Sequence, residues 1–229
     1  QSGGKILSSK KNLEERLKGS QVGGIVGTNA GAAIVGCNTE KESNSKEGYI
    51  FGEEYVGGIV GYNEPGADGT SKVIGGDGAK KGVNAAHVIG KRRVGGIIGA
   101  NPADGTISGW LNRGFVAAQE AYAGGIAGIA AGNITDCWNK GAVIAQQEGN
   151  AGGIVANNNY EIRNCRNYGS VTAQNGICGG ISGVNASTIA SCQVTAQGGL
   201  GYLVFESKEK AGGVCGINEG TIDSTDVSY

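Results

Sequence analysis

The residues equipped for chemistry are few, and their spacing decides what they can do. The chain has six cysteines and one histidine among 229 residues. Cys37, Cys137, Cys165 and Cys192 each stand three residues after an isoleucine (Ile34, Ile134, Ile162 and Ile189). A structural metal site needs paired ligands at short spacing, and this chain has no Cys-x-x-Cys and a lone imidazole. His87 lies in Asn84-Ala85-Ala86-His87-Val88, where nothing marks a nucleophile for it to activate. It reads as a surface or loop residue. Recurrence at long intervals instead predicts a column of small, buried, unpaired thiols. Neighbouring thiols that point the same way are poorly aimed for a disulfide. Neither a catalytic residue, nor a metal ligand, nor a cofactor site is expected.

Other chemistries fail on pattern. Glycan-cleaving sites need carboxylates gathered on one face, whereas Asp136, Glu161 and Asp223 hold different places in the chain's recurring frame. Gly75-Gly76-Asp77-Gly78 is a single calcium-loop-like stretch, and such sites work in tandem. None of the Gly-Gly segments carries the lysine and hydroxyl of a phosphate-binding loop. One set of residues does suit recognition. Leu111, Trp138, Arg166 and Gln193 hold equivalent places, with Arg113, Lys140 and Tyr168 two residues on. Trp138, Arg166 and Tyr168 are thus candidate binding residues, able to stack on a sugar or anchor a protein. The plainer reading is that Trp138 lies against a loop or coil edge.

The element that would position these residues is a repeat. Val22-Gly23-Gly24-Ile25-Val26-Gly27-Thr28-Asn29 returns with first glycines at 57, 95, 124, 152, 179 and 212. A period of about 20 to 50 residues marks a solenoid, propeller or array. The second glycines, Gly24, Gly58, Gly96, Gly125, Gly153, Gly180 and Gly213, are read as structural, serving positive φ or the close approach of a neighbouring coil. Five residues on stand Asn29, Asn63, Asn101, Asn158, Asn185 and Asn218, interrupted by Ala130. Stacked amides can hydrogen-bond along a ladder, and Asn112, Asn139 and Asn167 suggest a second one. A further run, such as Ile134-Thr135-Asp136-Cys137-Trp138-Asn139, and a third, such as Gly141-Ala142-Val143, complete each unit.

Runs this short bury nothing alone, but in register they would stack into three parallel sheets around an apolar core. The expected fold is all-β: a parallel β-helix of about seven coils, right-handed by the crossover rule. Residues 1–21 differ in kind, with Leu13 and Leu17 on one helical face between Asn12 and Gly19. They predict a short capping helix over the first coil. The solenoid then spans 22–229, with insertions near 39–54, 64–88 and 197–210. Its first two units lack clean second and third runs.

Composition narrows the setting. Nineteen basic and twenty acidic residues nearly cancel, so bulk charge draws the chain to neither nucleic acid nor anionic membrane. No apolar run nears the roughly 18 residues that cross a bilayer, so no membrane insertion is expected. Gln1 at the start and the lack of methionine suggest a processed or excised piece, expected to be monomeric on its own.

The chain resembles the GLUG-repeat family, whose unit runs Gly-Gly-Ile-x-Gly-x-Asn, then Ile-x-x-Cys and Gly-x-Val. Gly153-Ile154 through Ile162, Cys165, Gly169 and Val171 carry the likeness, which extends over about residues 22–227. The family occurs in secreted and wall-attached bacterial proteins, including segments beside metallopeptidase domains of the IgA-protease type. The resemblance implies a non-catalytic extracellular scaffold, spacer or adhesin segment of a bacterial surface protein, with a host glycan or surface protein as partner. The alternatives are a carbohydrate-binding module using the Trp138 column and, less favoured, a β-helical polysaccharide-degrading enzyme.

Overall fold

The computed structural model describes residues 18–39, 48–66, 71–76, 80–103, 105–196 and 204–228. The Leu13/Leu17 capping helix falls outside them. All regular structure among the described residues is strand, and every pairing is parallel. Residues separated by one repeat lie side by side, as in Val22↔Val56 and Val56↔Val94. A parallel β-solenoid is the result.

Four sheets, not three, wrap the core. The difference arises inside the second run, which is continuous in the repeat pattern but not in the fold. Its residue at position 36, 109, 136, 164, 191 or 224 takes a positive φ, between 44° and 72°. That turns the chain through a corner and splits one run into two strands on two sheets. In the fourth repeat Asn133–Thr135 lies before the corner at Asp136 and Trp138–Asn139 after it. The residues found there are Gly, Asp, Asn and Ser, of which Gly, Asn and Asp enter left-handed geometry at least cost.

The Gly-Gly-Ile segments feed a seven-stranded sheet running from Val26–Ala30 to Cys215–Asn218. A second seven-stranded sheet holds the isoleucine run. The post-corner strands form the third, six-stranded sheet, and an eleven-stranded sheet closes the coil. In that last sheet the third run of one repeat and the opening of the next share strands of nine residues, Tyr49–Gly57 and His87–Gly95. Later repeats break the same path into two short strands.

The frame persists through the ranges read as insertions. Ala33–Val35 and Lys72–Ile74 pair in register, Gly82–Asn84 pairs with Trp110–Asn112, and Phe205–Ser207 continues the rungs from Val171–Ala173. At the other boundary, strand Ser20–Gly23 begins within the stretch assigned to the cap. His87 is not in a loop. It opens a strand, half-buried between the rings of Tyr49 and Phe115.

Two apolar cores fill the coil. One stacks Ile59, Ile97, Ile126, Ile154 and Ile181 against Ile107, Ile134, Ile162 and Ile189, with Cys137, Cys165 and Cys192 as buried rungs. The other is a narrow valine and alanine column between the two halves of the long sheet. At the waist between them stands the second asparagine ladder, which begins at Asn84. The inner members of the ladder use their amides fully. Asn112 donates to Asn139 Oδ1 at 2.9 Å and to the Gly114 carbonyl, and accepts from Asn84 Nδ2 and the Gly114 N–H. Four bonds exhaust what one amide offers.

This waist explains the second glycines. A Cβ on Gly125 would lie 2.1 Å from the Gly153 carbonyl oxygen and 2.4 Å from Asn139 Cγ, and Gly58, Gly96 and Gly153 are as tight. Close approach is the reason, since none of these glycines has a positive φ. The first ladder runs Asn29–Asn63–Asn101 and Asn158–Asn185–Asn218 with amide contacts of 2.7 to 2.9 Å, and Ala130 divides it.

Candidate functional site

The corner that splits the second run also makes a groove. Past it, cysteine points inward, the next residue outward and the ladder asparagine inward again, by the two-residue alternation of a strand. The outward column is Val83, Leu111, Trp138, Arg166, Gln193 and Asp226, all in register. Its equivalences match those expected from the repeat. Beside the column, the corner residues Asp136, Asn164 and Ser191 rise as a ridge, and between them lies an open cleft of about 1080 Å³. The cleft reaches from Gly36 and Asn38 in the first repeat to Gln193 in the sixth. At about 4.8 Å per rung that is roughly 24 Å.

Trp138, Arg166 and Tyr168 come together as expected, though none of the three is fully exposed. The Trp138 and Tyr168 rings meet edge-on at 6.4 Å, and the Arg166 guanidinium lies over the indole at 5.2 Å. Lys140 extends over Tyr168 at 5.5 Å. A fourth participant was not anticipated. Lys81 reaches down from the second repeat, places Nζ 4.7 Å over the Trp138 ring, and donates to the Asp136 carbonyl. Trp138 therefore holds two cations, from opposite directions along the axis, and is not a bare stacking platform for a neutral sugar. The signal for Lys81 was Gly82-Val83-Asn84, which matches Trp110-Leu111-Asn112 in register; the glycine-rich sequence before it hid the match.

That same stretch serves the other tryptophan. Trp110 occupies the cysteine place in the third repeat and is completely buried. Its ring lies where side chains on Gly75 and Gly82 would be, and its Nε1 donates to the Val73 carbonyl at 2.9 Å.

The charges of the groove are distinctive. Lys80, Lys81, Arg113 and Arg166 line it, with Asp136 as the single carboxylate among the described lining residues. Elsewhere four basic groups are held in ion pairs: Glu54 meets Arg92 and Arg93, Arg92 also meets Glu120 at 3.2 Å, Lys91 meets Glu53, and Arg163 meets Glu161. Of the five described arginines, the two outside any described ion pair, Arg113 and Arg166, both line the groove. Among the described residues no group of three or more His, Cys, Asp or Glu side chains is placed to hold a metal. No helix among them is long and apolar enough to cross a membrane. Burial drives the Cys165 thiol well above its ordinary value, reinforced by contact with Cys137 and Cys192.

No family model matches the chain, and neither does any curated protein. Among solved structures it is similar to the crystal structure of a putative immunoglobulin A1 protease from Bacteroides ovatus. That match has a TM-score of 0.52 and 22% identity, covering 86% of this chain and 68% of the other. At that identity the likeness supports the fold alone.

Proposed function

We propose that this chain is a non-catalytic, extracellular β-solenoid of the GLUG kind, working as a scaffold or adhesin segment of a bacterial surface protein. In this reading its seven repeats are seven right-handed coils, and the residues ahead of strand Ser20–Gly23 cap the first. The observation that carries it is the groove. Outward residues from six successive repeats line one open face, with one carboxylate and four cations among the residues named above. Such a face suits docking of an extended partner, whereas hydrolysis of a glycan calls for two carboxylates set at a defined separation. The interior polar groups are spent on ladders, which serves rigidity and length.

A carbohydrate-binding module is the second reading, favoured by the Trp138, Arg166 and Tyr168 cluster. The test is a glycan-array and host-protein binding screen of the chain beside Trp138→Ala. Specific capture that the variant loses supports docking at the groove, and a blank for both leaves a spacer. Release of reducing ends or unsaturated products from a polysaccharide panel would overturn the non-catalytic reading.

A further inference from the structure

We propose that the groove takes an acidic polysaccharide, held through its carboxylate or sulfate groups and laid along the solenoid axis. The proposal deepens the docking reading above and rests on it. It starts from how the cations are held. A guanidinium fixed by a carboxylate has its donors occupied, but one fixed over an aromatic face keeps all five N–H groups for a ligand. Arg166 is held in this second way, over Trp138. Lys81 shares the same ring and gives one proton to the Asp136 carbonyl, leaving two. Arg113, on the repeat next to that of Lys81, stands along the same face without a described carboxylate partner.

Arg166 and Lys81 are therefore positioned before any ligand arrives, which lowers the ordering cost of binding. Planar guanidinium forks match the two oxygens of a carboxylate or sulfate. The rungs repeat along a straight axis, so a linear polymer can meet Arg113, Lys81 and Arg166 in turn. Stacking a neutral sugar calls for a free aromatic face, and stacking the bases of a single-stranded nucleic acid calls for several; the Trp138 ring is already occupied by two cations. With a net charge of −1 over the chain, the attraction comes from the local cations of this face and not from bulk charge.

The test titrates the whole chain with polygalacturonate, heparin, dextran and polyglutamate, following tryptophan fluorescence and salt dependence. Binding of polygalacturonate, heparin or both, weakened by added salt, is expected, with none for dextran and weaker binding for polyglutamate, whose flexible chain costs more to order along the groove. Which of the two binds identifies carboxylate or sulfate as the recognised group. Arg166→Glu and, independently, Arg113→Glu should each weaken binding about tenfold or more. Arg163→Glu changes the net charge equally but lies outside the groove, and should change affinity less than about twofold. Equal losses for Arg163→Glu and Arg166→Glu, or dextran or polyglutamate binding as tightly as the acidic glycans, would overturn the proposal. So would silence from both acidic polymers. In that case, capture of a neutral glycan or host protein that depends on Trp138 would still uphold docking, whereas a blank screen would remove both.

Discussion

At the scale of single residues, the interior is organised by side chains that satisfy one another along the axis. Asn139 makes four hydrogen bonds, to Asn112, Asn167 and both backbone groups of Gly141. Asn139→Ala would strand all four partners in a dry waist, so a loss of about 3 kcal/mol or more is expected, read as a lower urea midpoint at unchanged m. The thiols give a pH test. Cys178, chiefly through burial, is pushed up to about 11 from an ordinary value of 9.0. The unfolded chain then loses its proton first, the folded chain binds more protons above that ordinary value, and stability falls as pH rises. Urea midpoints should hold up to about pH 8.5 and decline towards pH 11, and Cys178→Ala should flatten that decline. The thiol column was legible because a cysteine recurring every 27 or 28 residues can only stack. Trp110 was not recognised as core, because its space is made by two glycines of the preceding repeat.

At the scale of elements, two kinds of glycine look alike in sequence and differ in structure. Gly36 has a φ of 66° and nothing near its missing Cβ, whereas a Cβ on Gly153 would meet the Gly180 carbonyl oxygen at 2.1 Å. Gly36→Ala should cost about 1 kcal/mol, the strain of a left-handed residue. Gly153→Ala must push apart two coils and should cost about 3 kcal/mol or more; thermal denaturation of the pair would show the order. The two tryptophans separate in the same way. Trp110→Ala should lose about 3–5 kcal/mol, and Trp138→Ala under about 1 kcal/mol, while on the proposed docking only the latter should weaken ligand binding directly. The left-handed corners were present in the sequence as Asp136, Asn164 and Ser191, but one such residue inside an apolar run does not announce a turn. Its meaning comes from stacking, since the same corner must recur on every rung.

At the scale of the molecule, each repeat touches chiefly its neighbours, so stability should be nearly additive along the axis. Removing 151–177 takes out one whole repeat, because Ala123, Ala151 and Cys178 are successive rungs of one column. The shortened chain should fold, with m reduced by roughly a seventh; a chain that fails to fold would refute this modular account. The repeat, its register, the two ladders and the parallel solenoid are all legible in the order of residues, because a side chain's equivalents one period away are its neighbours in space. That order could not number the sheets, since corners are made by backbone conformation and not by residue type alone. Nor could it bring Lys81 to Trp138 or Trp110 beneath Gly75 and Gly82. Those contacts join non-equivalent positions on different repeats, and only the stacked coil decides them.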